Sequence, residues 1–391
     1  MELYILDSEL RRTTVIDQFE SLIWTERFND IGDFELVLHS NARNRTLIPD
    51  GALLTINHSK RIMVAETAEN KTDDDGRPTL TISGRSLEST LMNRSVYSEG
   101  LGDGAVITPI VYDGVAGEIA RLIVNDILRE NSYIPSDNLP FLQPEDESLY
   151  PPGTIPEPID GLHLELDRNA TVYSALKAVI DPYVLGMRLY RGPDDTTLYF
   201  DIYAGNDRTS TQSSLTPIVF SPSLDNLSNV TELRSLEPFK NVAYVMSDNG
   251  SRIVFAEGVD PTTSGFNRRV IPIQADDITL EPGPQLNEAL DRRGREVLAL
   301  NKVLSAVDGE ISEHTPYVYD LDYMLGDLVE IRASDGLPNR MRITEQIFVE
   351  DAQGERKYPT LEAEAFITPG SWFAWDFSQV WDQATGTWIE A

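Results

Sequence analysis

The chain contains no cysteine, which excludes disulfides, thiol catalysis and zinc sites built on Cys. Histidine is almost as scarce. His39, His58, His163 and His314 are the only ones, and no two stand at the i, i+4 spacing that shares a helical face. Nothing announces a metal site, and no cofactor is expected. No Gly-x-Ser-x-Gly elbow occurs. No apolar run is long enough to cross a bilayer. The start, Met1-Glu-Leu-Tyr-Ile5, lacks the basic-then-apolar pattern of a signal peptide, so membrane insertion is not expected. Positive charge is the other shortage. Lys and Arg total 32 against 64 Asp and Glu, and the formal net charge is −32. Gripping phosphates takes clustered Lys and Arg, so the balance argues against a nucleic-acid binder. It is compatible with a protein that nucleic acid passes without sticking, and with plain solubility.

What is present is a pattern stated twice. Gly51-Ala-Leu-Leu-Thr-Ile56, Arg61-Ile-Met-Val-Ala-Glu66, Asp73-Asp-Asp-Gly76 and Thr79-Leu-Thr-Ile-Ser83 lie near the N-terminus. Gly326-Asp-Leu-Val-Glu-Ile331, Arg340-Met-Arg-Ile-Thr-Glu345, Asp351-Ala-Gln-Gly354 and Thr360-Leu-Glu-Ala-Glu364 lie near the C-terminus. The match aligns Arg61 with Arg340, Val64 with Ile343, Glu66 with Glu345 and Gly76 with Gly354. Each copy reads as three strands with Gly/Asp turns. Alternating strands with such turns also arise by chance, but the shared order favours duplication. Closed antiparallel barrels hide strand edges economically. Two similar barrels in one chain imply pseudo-symmetry, and pseudo-symmetry points to a ring.

The fold class expected is mainly β with α+β insertions. Residues 1–93 form the first barrel. Met1 to Leu6 with Thr13 to Asp17, and Ser21 to Phe28 with Asp33 to Leu38, read as its hairpins, and Ser86 as the N-cap of a short helix. Residues 94–221 read as an α+β domain. A helix over Val115 to Glu130 has Ile119, Leu122, Ile123 and Ile127 on one face. Another runs from Thr171 to Ile180, capped by Asn169, before strands Gly186 to Arg191 and Thr197 to Tyr203. Between them Tyr133 to Asp160 carries seven prolines, Pro151 and Pro152 among them, and reads as an extended arm that contacts a neighbour. Residues 222–255 and 308–368 form the second barrel, with Asn229 to Leu236 and Asn241 to Met246 as its early strands. Residues 256–307 are an insertion bearing a helix from Gln285 to Ser305. Its Arg292, Arg293 and Arg295 read as a solvated face paired with Glu288, Asp291 and Glu296. The segment 369–391 holds Trp372, Trp375, Trp381 and Trp388, read as a hairpin that packs within the assembly, meets a partner or stacks on a sugar.

Several blocks carry a resemblance. They are Trp24-Thr-Glu-Arg-Phe-Asn-Asp-Ile-Gly-Asp-Phe-Glu-Leu-Val-Leu38, Met63-Val-Ala-Glu66, Gly84-Arg-Ser-Leu-Glu-Ser-Thr-Leu91, Asn93-Arg94, Ser221 to Leu227, Lys240 to Tyr244 and Tyr323 to Ile331. In this order they resemble baseplate-hub, or tail-tip, proteins of long-tailed bacteriophages with non-contractile tails. The likeness spans most of residues 1–368, and the Trp-rich tail is outside it. It implies a homotrimer in which each chain contributes two tail-tube-like barrels to a pseudo-sixfold ring. Such a ring closes the tube, adapts it to a threefold tip and opens a channel for DNA ejection. Partners implied are the distal tail protein, the tape measure and tip or fibre proteins. The location implied is the virion, after synthesis in the host cytoplasm.

Two other function classes compete with a structural hub. A cell-wall-degrading enzyme needs two placed carboxylates, but a lytic domain needs its own core, and only 369–391 follows the second repeat. An enzyme is therefore not expected. The remaining class is a carbohydrate-binding module built on Trp372, Trp375, Trp381 and Trp388.

Overall fold

The computed structural model describes residues 1–363 except 73–75, 98–109, 130–133, 144–161, 167–169, 193, 257, 277, 302, 312–315 and 333–337. Pro151, Pro152 and the four C-terminal tryptophans lie outside the described residues, as do Asn169 and His314. The chain divides into two compact units, Met1–Thr231 with Val307–Glu362, and Glu232–Ala306 with 363–391.

The first unit begins with the hairpin β1 (Leu3–Leu6) and β2 (Arg12–Ile16). A second hairpin follows, β3 (Ser21–Arg27) and β4 (Asp33–His39). The short helix α1 (Ala42–Leu47) leads to a meander of β5 (Leu53–Ile56), β6 (Met63–Thr72) and β7 (Pro78–Ser86). Alternation drives this. Phe34, Leu36 and Leu38 of β4 and Leu80 and Ile82 of β7 are buried, with more exposed neighbours between them. Together with Leu3, Leu22, Trp24, Leu54 and Ile56 they form one core.

After a 3-10 turn over Leu87–Asn93 come β8 (Ile110–Gly114), α2 (Ala116–Leu128), β9 (Leu142–Gln143), β10 (Leu162–Leu166), α3 (Val172–Tyr183), β11 (Gly186–Arg191) and β12 (Leu198–Tyr203). α2 buries Ile119, Ile123 and Ile127, while Leu122 is exposed rather than on that face. α3 is capped by Thr171 in a capping box with Ser174, not by Asn169, and runs past Pro182 to a left-handed Val184. Ser86 makes no capping bond, because its hydroxyl accepts from Gly32 N–H. The start of the Pro-rich stretch is anchored. Leu139 N–H donates to Leu128 O, and β9 runs parallel to β12.

The expected boundary at 93/94 is not a break in packing. Leu6, Leu10, Ile62, Leu87 and Leu91 share one core with α2, α3 and β11.

Then β13 (Val219–Phe220) and β14 (Leu227–Ser235) lead into the second unit. It holds β15 (Val242–Ser247), β16 (Gly250–Phe255), β17 (Val270–Gln274) and α4 (Pro284–Leu300). β15 pairs antiparallel with β16 and parallel with β17, and α4 covers them through Leu286, Leu290 and Leu298. Asn241 to Met246 therefore belongs to this inserted sheet, not to the second repeat. The basic face of α4 is paired in part: Arg293 meets Glu296 at 3.9 Å, while Asp291 takes Arg252 at 2.7 Å.

The chain returns through β18 (Leu304–Ile311), β19 (Leu328–Arg332), β20 (Pro338–Asp351) and β21 (Gly354–Ala363). The neighbour order β3-β4-β7-β6-β5 in the first repeat recurs as β14-β18-β21-β20-β19 in the second. Hydrogen bonds refine the match. Ala65 exchanges bonds with Gly51 and Ala52 as Ile343 does with Gly326 and Asp327. Ala65 is thus the counterpart of Ile343, one residue away from the pairing read in sequence, while Gly51/Gly326 and Gly76/Gly354 hold.

No closed barrel occurs among the described strands. The strands of the two repeats, with β1, β2 and β13, join in one 13-stranded sheet, because β20 spans 14 residues and its Glu345–Glu350 stretch takes β3. One repeat is thereby zipped edge to edge onto the other, and Phe348 enters the first repeat's core.

Candidate functional site

The sequence-named partner-binding residues fall outside the described structure, so the candidate site is the joint where the repeats meet. It is built on the β20–β3 seam, with Glu345 opposite Arg27 and Phe348 opposite Trp24. Arg27 Nε donates to Glu345 Oε1 at 2.6 Å, and its Nη1 donates to Ile31 O at 2.6 Å and meets Asp33 at 2.5 Å. A charge-assisted fork of this kind fixes register as well as proximity.

Phe28 is the wedge of the joint and is 1% exposed. Its N–H donates to Thr344 O in β20, and its carbonyl accepts from Met187 N–H in β11. Its ring meets Tyr203 edge-on at 5.3 Å and lies under the Arg342 guanidinium at 5.6 Å. A Cβ at Gly186 or at Gly326 would come within 2.3 Å of that ring, and Gly326 has φ +89°. The rest of the β3–β4 turn is tied to α3: Tyr173 OH donates to Asp30 at 2.6 Å, and Lys177 Nζ to Asn29 O at 3.0 Å.

Behind the wedge lies a buried charged cluster. Arg61 Nη1 donates to Glu88 Oε1 at 2.7 Å, and its Nη2 to Arg27 O at 3.1 Å. Glu88 Oε1 also accepts from Leu189 N–H at 2.8 Å. Burial is the largest single influence and disfavours the Arg61 charge, but Glu88, Tyr203, Glu26 and Tyr319 together outweigh it, and the guanidinium pKa rises. Glu26 accepts from Trp24 Nε1 at 3.1 Å and Tyr319 OH at 3.0 Å. Its own pKa is raised, because burial outweighs Arg61 and the hydrogen bonds. Asp327 behaves alike. Burial raises its pKa although it accepts from Asn206 N–H, Met324 N–H and Arg208 Nε.

A pH dependence follows from Glu26. Its folded pKa lies above the unfolded value of about 4. The folded state therefore holds the proton more tightly, and stability falls as pH rises from the unfolded value through the folded one. The variant E26Q removes this term. Its unfolding midpoint relative to the parent is expected to improve as the pH rises above about 4. Parallel pH profiles for the two proteins would contradict this.

The described residues contain no group of three or more His, Asp or Glu that could hold a metal ion. His58 meets Glu355 at 3.5 Å, and burial lowers its pKa. The arrangement offers what an assembly joint needs: strand edges, a wedge and a buried ion pair, in which Glu88 Oε1 is bonded and Oε2 has no hydrogen-bond partner. Sequence reasoning missed Phe28, Arg61 and Glu88 as a group. The only signal was the pair of glycines, Gly186 at the start of β11 and Gly326 in the turn before β19.

A family profile described as "Siphovirus ReqiPepy6 Gp37-like protein" matches residues 2–360. No curated protein matches the chain. Among solved structures, a tail protein from Neisseria meningitidis MC58 is similar with TM-score 0.57 and 13% identity, covering 94% of this chain and 98% of its own. A 43 kDa tail protein of prophage MuSo2 from Shewanella oneidensis gives TM-score 0.55 and 13% identity, covering 92% and 98%. Prophage tail protein gp18 from Listeria monocytogenes EGD-e gives 0.50 and 10%, covering 99% and 100%. At these identities the likeness is one of fold.

Proposed function

This chain belongs to the Siphovirus ReqiPepy6 Gp37-like family, and from that premise we propose that it is the structural hub at the distal end of a phage tail. The observation that carries the reading is the repeated strand order, with the second repeat joined to the first through β20 and β3. One chain then supplies two successive, similar segments of a ring, and three chains supply six. A ring of this kind presents six near-equivalent positions to a tube and three identical ones to a tip. The distal tail protein, the tape measure and tip or fibre proteins are its proposed neighbours, and its proposed location is the virion.

The acidity fits a channel for DNA. Three copies of a chain of charge −32 carry −96. Hydrated carboxylates on a lumen repel phosphates, so DNA slides past without gaining the contacts that release counterions.

The test is the mass of the purified protein in solution by light scattering. A trimer of about 131 kDa, three times 43.7 kDa, is expected. A monomer across the accessible concentration range overturns the ring.

A further inference from the structure

The two repeats differ at one strand edge, and the difference names a partner. β7 occupies one edge of β6 along its whole length, Met63 to Thr72. On the other edge β5 reaches Met63 and Val64, and residues 51 and 52 reach Ala65. Beyond Ala65, no strand covers that edge among the described residues, and Glu66 to Thr72 are all exposed. In the second repeat the equivalent stretch of β20 carries β3.

β6 bulges between Ala65 and Thr67, but Gly76 follows Ala65 at the spacing at which Gly354 follows Ile343, and the core-facing sides agree, so Ala68 corresponds to Gln346, Glu69 to Ile347 and Asn70 to Phe348. Gln346 and Phe348 are fully buried, while Ala68, Glu69 and Asn70 are exposed. Ala68 and Asn70 stand opposite Ile82 and Leu80, so they lie on the core-facing side of a strand whose second edge no described strand covers there.

The complementary element is at the far end of the sheet. β14 is its terminal strand and holds the place in the second repeat that β3 holds in the first. The sequences agree: Val230-Thr231-Glu232 follows Trp24-Thr25-Glu26. Thr25 is buried under β20, whereas Thr231 is exposed. The likeness begins at Val230, since Asn229, with φ +51°, breaks the extended strand before it.

We infer that the Glu66–Thr72 edge of β6 receives β14 of a second copy of this chain, in the antiparallel register that β20 uses for β3. Glu69 then stands opposite Thr231 of the next copy, as Ile347 stands opposite Thr25. A bare edge is a template for another strand. Glu66, Glu69 and Lys71 on it discourage indiscriminate pairing, so a register-matched strand is favoured over aggregation. The contact is head to tail, and such contacts close into rings when the rotation per step divides the circle. Intrachain and interchain seams then alternate. This rests on the ring reading above and specifies how its subunits are sewn together.

The absence of cysteine makes the test clean. Both Glu69 and Thr231 are exposed, so the variant E69C/T231C leaves the core untouched. Under mild oxidation it is expected to give covalent dimers and trimers on a non-reducing gel, collapsing on reduction. E69C alone, T231C alone and the out-of-register pair E66C/T231C are expected to stay predominantly monomeric there. I23C/V349C across the existing seam is the positive control, linking within one chain. Native mass is measured on the same samples. A native trimer without crosslinks overturns the strand pairing and leaves the ring. Crosslinks running past trimer support the pairing and overturn threefold closure. A native monomer without crosslinks overturns both.

Discussion

Alanine at position 84 is expected to lower the unfolding free energy by about 3–5 kcal/mol, well beyond a typical surface substitution. Gly84 sits opposite Ala65, where β6 bulges and the register slips between Ala65 and Thr67. A Cβ there would lie 1.8 Å from Val64 O, 2.9 Å from Val64 C and 3.0 Å from Glu66 N. All three are backbone atoms, so no rotamer change relieves the clash. The strands must separate, and the bulge that turns β6 away from β5 is lost. The control is G76A. Gly76 has φ +78° but nothing within 4 Å of an added Cβ, so it carries backbone strain alone, about 1–2 kcal/mol. Denaturant unfolding of both variants beside the parent decides the matter. Equal losses at the two positions would refute the steric account.

The second large effect is at Arg61. R61M is expected to cost about 3–5 kcal/mol, because it strands Glu88 as a buried charge without its cation. Arg61 is 5% exposed and Glu88 0%. Neutralising the survivor recovers part of the loss. In R61M/E88Q the amide oxygen still accepts from Leu189 N–H, and position 88 no longer carries a buried carboxylate. The double variant is expected to be more stable than R61M alone. Thermal unfolding of the four corners of the cycle measures the coupling. A strictly additive result would show that the ion pair contributes nothing specific.

The repeat meanders were legible in sequence because alternation and Gly/Asp turns are local signals. Gly51/Gly326 and Gly76/Gly354 mark the same turns in both copies, and β5-β6-β7 and β19-β20-β21 follow from them. Partner choice was less legible. β14 was visible near Asn229, but its neighbour β18 lies beyond an inserted unit, and its first residues were absorbed into the helix predicted to end at Ser305. Alternation says which face a strand buries. It does not say which strand lies beside it, so Asn241 to Met246 was assigned by proximity alone. Barrel closure failed for a related reason. Nothing local distinguishes β20, which takes β3, from β6, whose matching edge stays bare among the described residues. The offset of one residue between Glu66 and Glu345 came from reading identity rather than hydrogen bonds. The cluster of Arg61, Glu88 and Glu26 could not be read at all, since its members are ordinary charged residues until three separate segments bury them together.

The place where the second unit enters has a consequence for how such a protein changes over time. In the first repeat β3 and β4 are joined by the short turn 28–32, locked by Phe28 against its surroundings. In the second, the corresponding strands β14 and β18 are adjacent in the sheet, and between them the chain makes an entire folded unit. Lys240 N–H donates to Asn301 O at 2.9 Å, so the two ends of that excursion are fastened side by side. A docking port of this kind accepts exchange. Its contents can be enlarged, shortened or swapped while the strands on either side keep their partners. One repeat is thus held to a fixed shape by its wedge, and its twin is free to carry novelty.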